Sequence, residues 1–109
     1  MHPKNVDSLF SPYLDSIRVL SNSDGTVKSY TSGLNHFKAF VESKFQCKIN
    51  EAIVRIKNGD PDDVYRLLNE FVVYMYKLGK KPATIKVTFA SAKGFLRHNG
   101  IKIYNEDVK

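Results

Sequence analysis

Residues 78–103, LGKKPATIKVTFASAKGFLRHNGIKI, constrain the fold more than any other stretch, because a Gly-Lys-Lys-Pro turn there separates two apolar patterns of helical period. A glycine after such a run ends a helix, and proline, with its fixed φ and missing N–H, suits the first turn of the next. Two helices joined by a tight turn follow. The first-turn N–H groups of the second helix have no intrahelical acceptor. They stand beside Lys80 and Lys81, and that combination favours phosphate.

On a 3.6-residue period Ile85, Phe89, Ala92 and Leu96 form one stripe, with Thr88 and Phe95 at its margin, while Lys86, Lys93 and Arg97 run along a flank. The same spacing puts Ala83, Val87, Ala90, Ser91 and Gly94 opposite the core. Small residues on a solvated face imply that something bulky approaches the backbone. A DNA groove fits, and so does a second protein helix. A plain surface helix whose lysines only serve solubility is the third reading of the segment.

The rest of the chain is also punctuated as helices. Ser11-Pro12 starts the first, with serine as N-cap and Tyr13, Leu14, Ile17 and Leu20 as its apolar face, ending near Ser21. A turn cluster over 21–25 precedes a long second helix, in which Val27, Tyr30, Leu34, Phe37 and Val41 recur as far as about Phe45. Its other side carries Lys28, Ser29, Ser32, His36 and Ser43, with Gly33 at a position that calls for close packing, since mid-helix glycine costs about 1 kcal/mol relative to alanine.

Asn50 caps a short third helix over 51–57, with Ile49, Ile53 and Ile56 on one side and Asn58-Gly59 closing it. Asp60-Pro61-Asp62-Asp63 is the clearest helix start, combining a cap, a first-turn proline and carboxylates at the positive end of the dipole. Val64, Leu67, Leu68, Phe71, Val72, Met75 and Leu78 follow as a wide apolar face, and 101–109 reads as an apolar, then acidic tail. The core is expected to centre on Leu34, Phe37, Phe71, Val72, Met75, Ile85 and Phe89. No segment alternates long enough for a sheet, so the expected fold is all-α: a compact bundle of four main helices and one short one.

At 109 residues the chain suits one domain, with enough length for a core without disulfides. Lys and Arg exceed Asp and Glu by 17 to 11, a formal charge of +6, which inclines the partner class toward a nucleic acid or an anionic membrane surface, and of the two no membrane partner is expected. The single cysteine, Cys47, and three scattered histidines, His2, His36 and His98, do not make a structural zinc site. Neither a signal sequence nor a membrane-length apolar run is present, so a cytoplasmic location is expected. Phosphate loops, paired-histidine metal motifs and nucleophile elbows are missing, and the carboxylates at 60, 62 and 63 read as helix capping. No enzyme, metal or cofactor is expected.

Two signatures carry a family resemblance: Thr26-Val-Lys-Ser-Tyr30 with Leu34, Phe37 and Phe40, and Pro82-Ala-Thr84-Ile85 with Phe89, Phe95 and Gly100. In order and spacing, together with the intervening LLNEFVVYMYKLG, they resemble the N-terminal core-binding (SAM-like) domain of tyrosine recombinases, the phage-integrase and Xer family. The extra short helix near 49–57 is more similar to archaeal or mobile-element integrases. The resemblance implies half of a C-shaped clamp around double-stranded DNA, with the second and last major helices facing the major groove. It implies that catalysis belongs to a C-terminal domain of the same parent protein, and that parent recombinases assemble as tetramers.

Val87 and Thr88 depart from the pattern, standing where arginine or lysine is frequent. The DNA contacts expected are Thr26, Lys28, Ser29 and Ser32 on the second helix and Lys80, Lys81, Thr84, Lys86, Val87 and Ser91 in the last segment. Lysines suit phosphates, and the hydroxyls suit phosphate or base edges. A helical protein-interaction module is the alternative.

Overall fold

The computed structural model describes residues 10–21 and 24–103. It contains five helices, α1 (Ser11–Ser21), α2 (Asp24–Phe45), α3 (Ile49–Asn58), α4 (Pro61–Lys77) and α5 (Pro82–His98), and no strand among the described residues. The all-α expectation is met. No helix among the described residues is long and apolar enough to cross a membrane. The expected acidic end of the tail, residues 104–109, lies outside the described residues, as do His2 and positions 22–23 of the expected turn.

The helix boundaries follow from local chemistry. Asp60 caps α4 by accepting a hydrogen bond from the Asp62 N–H at 2.9 Å, with Pro61 in the first turn. Gly79 has φ +80°, and the N–H groups of Gly79 and Lys80 donate to the carbonyls of Tyr76 and Met75, the paired bonds of a Schellman stop. Gly100, at φ +85°, repeats the arrangement after α5, with Gly100 and Ile101 donating to Arg97 and Leu96.

Other boundaries differ from the sequence expectation. Ser11 already lies inside α1, and the carbonyl accepting from Leu14 is that of Phe10. Asp24 and Gly25, expected in a turn, form the first residues of α2. Asn50 is not the cap of α3: the helix begins at Ile49, whose N–H donates to the Glu42 carboxylate at 2.8 Å. The positive end of α3 is therefore satisfied by a side chain of α2 rather than by its own sequence.

Packing centres on α2 and α5, the most extensive helix pair, with α1 against α2, α4 against α5 and α3 against α2. Leu34, Phe37, Phe71, Met75 and Ile85 are buried as expected, and Phe37 meets Phe71 edge to face at 5.1 Å between ring centres. Val72 and Phe89 are only half-buried at the core margin. Phe95 takes the central place instead: it is fully buried and stands edge-on to Phe10 at 4.9 Å. Leu20 and Leu78 depart further, at 83% and 47% exposed, because each lies at a helix end beyond the neighbour that covers the earlier turns. The start of the tail packs instead of trailing, with Ile101 and Ile103 buried and the Ile103 carbonyl accepting from Arg97 at 2.9 Å.

Candidate nucleic-acid interface

The α2–α5 crossing is made close by Gly33. A Cβ there would lie 2.5 Å from the Ser91 hydroxyl oxygen and 3.1 Å from the Thr88 Cα, so only glycine fits without displacement. Ser91 is fully buried at this crossing and donates to the Thr88 carbonyl at 2.7 Å. Its hydroxyl is not at the surface, where its sequence position put it, because α2 covers that part of the face opposite the Ile85 stripe, while Ala83 and Val87 of the same face stay exposed. Gly94 of the same face accommodates the Tyr13 hydroxyl. Gly33, Ser91 and Gly94 thus serve contacts within the chain.

Beside the crossing, the two helices leave an open groove of about 490 Å3 lined by Lys28, Ser29 and Ser32 of α2 and by Ala83, Thr84, Val87 and Thr88 of α5. Five of the expected contacts, Lys28, Ser29, Ser32, Thr84 and Val87, are brought together by this geometry. Thr88 is buried at its base, Val87 is 38% exposed, and no carboxylate among the described residues lines the groove. Lysine and three accessible hydroxyls make it a field of hydrogen-bond donors for an anion.

The end of α5 adds to that field. Its N-cap is Lys81, which is exposed and gives no side-chain cap, and Pro82 has no N–H. The first backbone bond closing the helix runs from Ile85 to Lys81. The N–H groups of Ala83 and Thr84 are thereby left at the positive end of the dipole, on two residues that line the groove.

Lys80 is half-buried and lies near His36 of α2, where burial first and the Lys80 charge second hold the imidazole pKa below 6.5. The sequence places His36 on one side of α2 with Lys28, Ser29 and Ser32, at one-turn spacing from 28 and 32, but it is not among the expected DNA contacts. Five expected contacts do not line the groove: Ser91 is buried at the crossing, Lys80 and Lys81 lie in the turn that leads into α5, and Thr26 and Lys86 lie elsewhere. Lys86 is exposed on the flank of α5, and Thr26 is half-buried in the first turn of α2.

No protein-family model, curated protein or solved structure matches this chain.

Proposed function

We propose that the chain is a helical DNA-binding domain that clamps duplex DNA. In this reading it is the non-catalytic core-binding part of a tyrosine recombinase, supplying affinity and register to a C-terminal catalytic domain of the same parent. The observation that carries the reading is the groove between α2 and α5, which no carboxylate among the described residues lines, with Lys28, Ser29, Ser32 and Thr84 in its walls and the uncapped start of α5 at Lys81, next to Lys80, beside it. Helix N-termini and lysines bind phosphates, and hydroxyls fix register. The recombinase part of the reading rests on the sequence resemblance. A helical protein-interaction module is the second reading: Gly33, Ser91 and Gly94 are engaged within the fold, but Ser29, Ser32, Ala83 and Val87 of the small-residue faces stay exposed along the groove.

Fluorescence anisotropy with a duplex oligonucleotide tests this. A small domain using a few lysines should bind non-specifically, with dissociation constants of roughly 10⁻⁴ to 10⁻⁶ M at physiological salt and a steep fall as salt rises. Replacing Lys80 and Lys81 with alanine should weaken binding to all sequences alike and reduce the salt slope by about one unit per lysine. The control removes the same charge at α3, through Lys48→Ala just before the helix and Lys57→Ala near its end. Lys57 lies against Gly100, at the far end of α5 from Lys80. Equal weakening by both pairs would mean that only diffuse charge attracts the DNA, and no binding at low salt would sink the reading.

A further inference from the structure

We propose that the cleft where α2, α3 and α4 meet is a second binding site, for a small arylalkyl or branched-alkyl monocarboxylate. The cleft has a volume of about 190 Å3 and is open to solvent on one side, and it shares no residue with the α2–α5 groove. Its floor is apolar, built from Phe45, Ile56 and Leu67, the last two buried. An apolar cavity of roughly 150 Å3 already holds benzene, so the floor has room for one ring with a carbon or two.

The rim sets the polarity of the guest. Glu70 accepts from Lys44 Nζ at 2.5 Å and Asp63 from Arg66 at 3.1 Å, so both rim carboxylates already have cations. Arg55 is the cation left over. Its guanidinium donates once, to the Phe45 carbonyl at 3.2 Å, and meets no carboxylate among the described residues. Most of its five N–H donors therefore stay available at the mouth of the cleft, in the fork geometry that carboxylates accept. Gly59, at the edge of the mouth, adds no side chain to obstruct it. An apolar body for the floor and one carboxylate for Arg55 define the ligand class.

Amide chemical shifts of the isotope-labelled chain, followed while phenylacetate is titrated in at neutral pH, test the site. Saturable shifts are expected at Arg55, Ile56 and Gly59 in the millimolar range, as suits a ligand of about ten heavy atoms. Phenylacetamide has the same shape without the charge and should bind about tenfold more weakly, the difference between a charge-assisted and a neutral hydrogen bond. Arg55→Gln should erase that difference and leave the affinity for the amide unchanged. Arg55 is exposed, so the variant should keep the parent's melting profile. The site is overturned if phenylacetate does not saturate, if acid and amide bind alike, or if the acid preference survives Arg55→Gln.

Discussion

Two residues decide how closely this bundle packs. Alanine at Gly33 would gain about 1 kcal/mol of helix propensity, yet its Cβ would meet the Ser91 hydroxyl at 2.5 Å and the Thr88 Cα at 3.1 Å. The hydroxyl can turn away only by giving up its bond to the Thr88 carbonyl, and a backbone atom cannot yield without shifting α5. Gly33→Ala should therefore destabilise by about 1–3 kcal/mol in urea unfolding, the usual cost of overpacking. Ser91→Ala added to it should recover part of that loss but not all, because the Thr88 contact remains. A Gly33→Ala chain more stable than its parent would refute the close crossing. Sequence alone marked Gly33 as needing a near neighbour but placed that neighbour, Ser91, in solvent. A 3.6-residue stripe identifies one buried face, and α5 is covered by both α2 and α4.

The other residue is Tyr13, buried against α2 and α5, whose phenol pKa is pushed up to about 12 by burial first and by Tyr30 second. An acid whose pKa is raised by folding gives up its proton more readily unfolded. Its contribution is complete below pH 10, the unfolded value, and is lost as pH climbs through about 12. Thermal unfolding of the parent should become easier across that window, while Tyr13→Phe loses less over the same range. Parallel pH profiles for the two chains would remove the assignment.

At the level of elements, the ends of the helices show what local sequence can and cannot specify. Asp60 caps α4 with a bond to a residue two positions on, and the Asp-Pro-Asp-Asp pattern made that visible. The start of α3 was not legible in the same way. Its partner, Glu42, lies seven residues upstream on another helix, and nothing local distinguishes it from any exposed glutamate, so Asn50 took the role on paper. Asp60→Ala and Glu42→Ala should each cost about 0.5–2 kcal/mol of unfolding free energy, the range for a lost cap. Asn50→Ala should cost less than either. If Asn50→Ala proved the most damaging of the three, the observed boundary of α3 would be wrong. Ile101 and Ile103 were overlooked for a related reason: two apolar residues past a glycine stop carry no period, and only the fold shows that the chain turns back onto the core.

For the molecule as a whole, the second and last helices were legible as a pair because each carries short polar residues at one-turn spacing, and the fold sets Lys28, Ser29 and Ser32 opposite Thr84 and Val87. What remained hidden was how the α4–α5 turn meets α2, since that depends on the crossing at Gly33. The consequence is a titrating reporter inside the proposed DNA face. Burial and the Lys80 charge lower the His36 pKa below 6.5, so the imidazole binds its proton better unfolded. Its contribution to stability is complete above pH 6.5 and is lost as pH falls from there through the lower folded value. Lys80→Ala should raise the His36 pKa partway, burial keeping it below 6.5. A DNA phosphate docked against Lys80 should raise it as well, because an anion favours the imidazolium. Following the His36 ring protons by NMR against pH, with and without duplex at low salt, separates the outcomes. A titration curve displaced upward by duplex in the parent, and less so in Lys80→Ala, supports contact at this face. If the duplex binds and the His36 curve does not move, the DNA lies on some other surface of the bundle.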